Sequence, residues 1–311
     1  MRRKDKLILM NHPSSKPIPS PHDWRPLYPF PSHRLRIHGQ GYHYLDEGAG
    51  PVLLLLHGNP TWSFYWREMV LALRGQYRLI VPDHIGCGLS DKPGPRAYSY
   101  RLAQRIDDVV HLIEELDLTQ VTLIAHDWGG AIGMGAAAAV PARFRRFVLM
   151  NTAAFLLRRC PLRIRLCHIP VVGRLGVQGL NLFARAALRV ATERRERMTP
   201  AVRAGYLAPY DSWRKREAIY RFVMDIPLRP SHPSYATLMA IEAALPRFRA
   251  APVCLIWGMR DWVFTPQFLD RFLESLPDAE VHRLADAGHY VMEDAHEQVI
   301  PLVKAFLEKH P

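Results

Sequence analysis

The chain is poor in the features that mark several protein classes. Its longest apolar runs, such as "VLLLLHG" and "GAAAAV", fall well short of the roughly 20 residues a membrane-crossing helix needs, so no transmembrane segment is expected. The four cysteines, Cys87, Cys160, Cys167 and Cys254, form no C-x-x-C and no zinc-like grouping. They read as free thiols of a reducing, cytoplasmic setting. No metal or cofactor motif is present, and none is expected to be needed. At the start, the apolar stretch Leu7 to Met10 is broken by Asn11 and Pro13, too short for a secretory h-region. Residues 1–23 are therefore expected to be a Pro-rich arm.

Acidic residues are scarce in one place. Between Leu156 and Ala250 there are 18 basic and six acidic side chains, a formal charge of +12 that equals the net charge of the whole chain. No nucleic-acid motif accompanies this excess, so nucleic acid is not expected. Such a surface suits an acidic partner protein or a membrane surface; an Arg-rich face that is merely solvated is the plainer alternative.

What is present is a globular composition, 49% hydrophobic and 23% charged over 311 residues, enough to bury a large core. "RLRIHGQGYHYLDEG" reads as an antiparallel hairpin turning at His38 to Gly41. "PVLLLLHG", "YRLIVPD", "VTLIAHD", "RFVLMNT" and "PVCLIWGMRD" are apolar at consecutive positions, as strands covered on both faces are. Helical patterns lie between them, for example Leu102, Ile106, Val109, Val110 and Ile113 on one face. This alternation predicts an α/β fold with a mostly parallel central sheet flanked by helices. From about residue 156 to 250 strand signals vanish. The expected organisation is a core of 24–155 and 251–311 with a helical cap of 156–250 inserted after one strand.

Ligands of open parallel sheets gather at the carboxyl ends of the strands. The polar residues there are His57 and Asn59, Asp83 and His84, Asp127 and Trp128, Asn151, Asp261, and His289. Asp127 stands where a strand–turn–helix elbow usually presents a serine, and Asp127, Asp261 and His289 follow the chain order nucleophile, acid, base. A carboxylate there attacks carbon without needing deprotonation by a base, and Asp261 would hold the His289 imidazole in one tautomer. Each residue also has a plain reading: Asp127 and Asp261 as helix caps, His289 as a hydrogen-bonded structural residue.

Taken together, "HGNPTWSFYWR", "PDHIGCGLSDKP", "AHDWGGAIG", "WGMRDWVF" and "DAGHYVMED" resemble the haloalkane dehalogenase branch of the α/β-hydrolases, over nearly the whole chain from about Trp24. The resemblance implies that Asp127 is the nucleophile, His289 the base and Asp261 the acid, with Asn59 and Trp128 donating N–H groups to the leaving group. One subfamily carries a Glu where Asn151 stands, which leaves the acid role to Asp261. Within the branch, "DHIGCGLSDKP", "HDWGGAIG", "NTAAF" and "GMRDWVF" are most similar to the β-lactone decarboxylases of olefin biosynthesis, which convert cis-3-alkyl-4-alkyloxetan-2-ones to cis-alkenes and carbon dioxide. That resemblance also implies association with other olefin-pathway enzymes.

Haloalkane hydrolysis through an alkyl-Asp ester is the alternative, since both reactions need a carboxylate at carbon and N–H donors facing developing negative charge. The tails separate them: a dialkyl lactone needs a long apolar channel, for which "AAFLL", "IPVVG", "LNLFA" and "IYRFVM" are the candidate walls. Epoxide hydrolysis would use cap tyrosines, with Tyr206, Tyr210, Tyr220 and Tyr235 as candidates. A serine esterase is disfavoured, since neither Ser63 nor Ser90 lies at an elbow. A non-catalytic scaffold that recruits partners through its basic cap is the reading furthest from an enzyme.

Overall fold

A computed structural model describes residues 20–156 and 161–311. Most of the expected Pro-rich arm and Cys160 lie outside the described residues. Eight strands form one sheet: β1 (His33–Ile37), β2 (Gln40–Glu47), β3 (Val52–Leu56), β4 (Arg78–Pro82), β5 (Val121–Asp127), β6 (Phe144–Thr152), β7 (Val253–Gly258) and β8 (Glu280–Leu284). Their spatial order is β1-β2-β4-β3-β5-β6-β7-β8. Only the β1–β2 and β2–β4 pairs are antiparallel. The first hairpin turns more tightly than its sequence suggests. Only His38 and Gly39 lie between the strands, both at positive φ, as a two-residue turn matched to strand twist requires.

The consecutive apolar positions of the central strands feed two cores at once. Leu53, Leu55, Val81, Ile124, Val148 and Ile256 face the layer with helices Arg67–Leu73 and Val291–Lys309. Leu54, Leu56, Ile80, Leu123, Leu149 and Leu255 face the layer with helices Leu102–Glu115 and Trp128–Ala139. A strand read as half-buried would alternate; these do not, because helices cover both faces.

Between β6 and β7 the described residues are helical, with no strand. Two contacts lock this insertion to the core. Asp225 accepts the backbone N–H of Leu102 at 2.7 Å, and the Arg101 guanidinium at 2.9 Å, at the start of a core helix. Tyr206 donates to Glu293 Oε1 at 2.6 Å, and Glu293 is in turn gripped at 2.5 and 2.8 Å by the buried Arg67 guanidinium. The last helix of the insertion, Tyr235–Ala244, packs instead on the core helix Trp128–Ala139, where Ile241 meets Gly135. No helix among the described residues is long and apolar enough to cross a membrane.

Candidate active site

Strand β5 ends at Asp127, whose backbone is held at φ 53° and ψ −128°, a sparsely populated region that neighbouring structure must enforce. Two close approaches make that possible. A side chain at Gly129 would collide with the Leu56 carbonyl, and one at Gly58 would strike the Asp127 carboxylate itself. Asp127 stands just before the helix Trp128–Ala139, but its carboxylate makes no capping bond. Asn59 donates its backbone N–H to Asp127 Oδ1 at 2.7 Å, leaving the other oxygen toward the cavity and His289.

The His289 imidazole bridges two carboxylates. Its Nδ1–H donates to Asp261 Oδ2 at 2.8 Å, and its Nε2 lies 3.6 Å from Asp127 Oδ2. Asp261 has its other oxygen tied at 2.6 Å to the Val263 N–H. The next helix begins at Pro266 behind Thr265, so Asp261 is not its cap. The His289 loop is held from outside as well: its carbonyl accepts from the His126 Nε2–H at 2.8 Å, and Tyr290 donates its N–H to Ala191 O at 2.7 Å.

Burial raises the Asp127 carboxyl above the ordinary carboxylate value; His289 and the N–H groups of Asn59 and Trp128 pull it back only in part. Burial acts the other way on the His289 imidazole, but the charge and hydrogen bond of Asp261, with Asp127 behind them, outweigh it and raise its pKa. His57, His84 and His126 are lowered chiefly by burial and are spent on structural hydrogen bonds: His84 donates its backbone N–H to His57 Nε2 at 3.1 Å. Asp83 is likewise structural. It accepts backbone N–H groups from Ser63 and Leu89 and faces His43 at 2.8 Å.

Above Asp127 opens a cavity of about 430 Å³, within the usual range for small-molecule sites. Asn59, Asp127, Trp128 and His289 stand at its polar end. The indole N–H of Trp128 has no hydrogen-bond partner among the described residues, while Asn59 Nδ2 makes a single 3.3 Å bond to the Ile219 carbonyl. All four apolar segments singled out from the sequence reach the wall, through Phe155, Val172, Phe183 and Val223 among others; Leu157 of the first lies outside the described residues. The arrangement offers a carboxylate, an imidazole beside it, neutral N–H donors and an apolar channel. None of Tyr206, Tyr210, Tyr220 and Tyr235 lines the cavity, so none of these four cap tyrosines is placed to protonate an epoxide there.

Residues 51–167 match the family model described as the alpha/beta hydrolase fold. A crystal structure of the haloalkane dehalogenase DatA from Agrobacterium tumefaciens C58 is similar at a TM-score of 0.82 and 25% identity, covering 90% of this chain and 96% of that one. Among named relatives, the cis-3-alkyl-4-alkyloxetan-2-one decarboxylase of Shewanella oneidensis is 44% identical over 285 residues, 90% of this chain and 89% of the relative. The enzyme of the same name from Xanthomonas campestris pv. campestris is 43% identical over 92% of this chain and 99% of its own. The chain belongs to the haloalkane dehalogenase-like α/β-hydrolases.

In this dehalogenase-like hydrolase, three features escaped the sequence reading. Asn151, there only a placeholder for an absent Glu, is bonded to the Asp261 carboxylate. Phe264 stacks on the His289 ring, centroids 5.6 Å apart, and Tyr290 joins the cavity wall. For Phe264 and Tyr290, adjacency to "GMRD" and "DAGH" was the available signal. Part of the positive charge between Leu156 and Ala250 is paired within the protein. Arg194 and Arg197 share the Glu297 carboxylate at 2.7 and 2.6 Å, which balances one of their two charges.

Proposed function

We propose that the protein decarboxylates cis-3,4-dialkyl β-lactones to cis-alkenes and carbon dioxide, with Asp127 as nucleophile, His289 oriented by Asp261, and Asn59 and Trp128 as donors to the leaving oxygen. The observation that carries this reading over simple hydrolysis is the similarity to two decarboxylases of that name, at 43 and 44% identity over most of their length. The apolar channel rising from Asp127 suits a substrate with two alkyl tails. In this reading 24–155 and 251–311 form the catalytic core, 156–250 the cap, and the enzyme works in the cytoplasm beside other enzymes of olefin formation.

The chemistry balances without water. An Asp127 oxygen attacks the ring carbon that bears the ring oxygen, forming an ester bond as the ring C–O bond breaks and its electrons leave as a carboxylate. The C–C bond to that carboxylate then breaks, its electrons form the alkene, and the ester C–O electrons return to Asp127. Attack inverts the carbon, and elimination with carboxylate and ester anti to each other then turns a cis lactone into a cis alkene. The N–H donors of Asn59 and Trp128 face the oxygen on which charge develops, the placement that most lowers such barriers. Attack on the lactone carbonyl, giving a mixed anhydride, is the other entry to the same products.

Hydrolytic dehalogenation uses the same five residues, and the similarity to DatA keeps it as the second reading. Purified protein assayed in parallel on a cis-dialkyl β-lactone and a bromoalkane, with alkene and bromide followed separately, decides between them. Alkene formation should be far the faster; bromide release outpacing it overturns the proposal.

A further inference from the structure

Part of the cavity wall reaches the protein surface. Its wall residues Leu166, Val172 and Leu182 are themselves exposed, so the channel opens directly onto an apolar outer surface. Around them, from helices Leu162–Cys167, Pro170–Arg174 and Leu182–Val190 and the turns between, further large apolar side chains face out. Leu162 is 71% exposed, Val171 70% and Leu180 65%, with Ile169 and Leu175 beside them. Scattered exposed leucines are ordinary, whereas a contiguous group of this kind marks a surface that something covers.

The charge on the same segment says what covers it. Arg163, Arg165, Arg174, Arg185 and Arg189 lie between Pro161 and Thr192, where there is no acidic residue. None of the five makes an ion pair among the described residues; Arg163 lies over the Trp262 ring and Arg174 over Trp213. Elsewhere in the cap carboxylates are interspersed with the cations: Lys215 and Arg221 each pair with one, and Arg194 and Arg197 share Glu297. Cap cations such as Arg195, Arg214, Arg229 and Arg247 also make no ion pair among the described residues, but within the cap only 161–192 lacks acidic residues over so long a stretch. Uncompensated arginines around outward-facing leucine and valine are the composition of a segment lying in the plane of an anionic membrane interface.

We propose that the 161–190 face of the cap docks on the surface of an anionic lipid bilayer, apolar side chains entering the headgroup boundary and arginines meeting lipid phosphates. The channel mouth then opens toward the acyl region, and a substrate with long alkyl tails reaches Asp127 without passing through water. The delivery role rests on the lactone reading, whereas docking does not and is measured without substrate.

The test is co-sedimentation with vesicles of phosphatidylcholine alone and with phosphatidylglycerol added, at low and high salt. The protein should pellet with the anionic vesicles at low salt, and less so as salt screens the arginines. The combined Leu162→Ser, Val171→Ser and Leu180→Ser variant should lose about tenfold or more in partitioning. Arg165→Glu, Arg185→Glu and Arg189→Glu together should abolish the preference for anionic lipid. Circular dichroism confirms that each variant is folded, and hydrogen exchange on the unaltered protein should show protection of 162–182 on adding vesicles. Failure to pellet, variants that partition like the parent, or protection elsewhere overturns the proposal. So does sedimentation velocity showing that the apolar substitutions convert a dimer to a monomer while vesicles have no effect, since the face would then belong to a second copy.

Discussion

The Asn151 side chain donates from Nδ2 to Asp261 Oδ2 at 3.0 Å, the same oxygen that receives the His289 Nδ1–H. Asn151 also accepts the Gly258 N–H at 2.8 Å and donates to the Gly258 carbonyl at 3.1 Å, from a backbone at φ 36°. The end of β6 is thus clamped to the end of β7, and Asp261, just beyond β7, is aimed at the imidazole. Removing the amide should loosen this aim and leave the Gly258 N–H without its Asn151 acceptor, at roughly 1–3 kcal/mol for a buried polar group. Asn151→Ala is expected to lower kcat about tenfold or more with little change in KM, alongside a lower melting temperature. An unchanged kcat in a folded variant would show that Asp261 needs no such support.

The position of His289 between Asp261 and Asp127 sets a pH signature. With its folded pKa raised above the ordinary 6.5, the imidazole contributes stability that is complete below about 6.5. That contribution is lost as pH rises through the raised folded value. NMR titration of the imidazole should therefore give a midpoint above 6.5, and Asp261→Asn should lower it. The stability gap between the parent and His289→Gln should shrink from pH 6 to pH 9. A midpoint at or below 6.5 in the parent protein sinks this account.

Trp128 presents an indole N–H with no partner among the described residues at the polar end of the cavity. Phenylalanine keeps the ring and its packing on Phe222 but lacks the donor. Trp128→Phe is expected to reduce kcat by about 10²–10³, the usual loss for one transition-state donor, with the melting temperature nearly unchanged. Steady-state kinetics with the lactone and a thermal melt check both halves.

Narrowing the channel should cost long substrates more than short ones. Val223 lies on the cavity wall, and Val223→Phe adds bulk there. Each methylene that no longer fits forfeits about 0.8 kcal/mol, so kcat/KM should fall progressively with tail length and least for the shortest lactone. A uniform loss across a chain-length series would place the tails elsewhere.

How far the molecule was legible in its residues follows from the range of the forces involved. Unbroken apolar runs, such as Val52–Leu56 and residues 123–125 within Val121–Asp127, already specify strands covered on both sides, because only burial on two faces makes consecutive positions apolar. The short polar motifs at their ends located Asp127, His289, Asp261, Asn59 and Trp128, since the fold class alone places strand ends at one rim. Asn151 was legible as a residue and not as a partner, for its bond to Asp261 spans 110 positions of chain. The same limit applies to charge. Composition located +12 between Leu156 and Ala250, while only the packing of Arg194 and Arg197 onto Glu297, and the lack of any such partner for Arg165, Arg185 and Arg189, decided where that charge is left facing outward. Periodicity and local motifs are properties of neighbours in sequence, and they determined the sheet and the polar rim at its strand ends. The cavity, its apolar mouth and the pairing of charges depend on residues brought together from far along the chain, and the tertiary structure alone decided them.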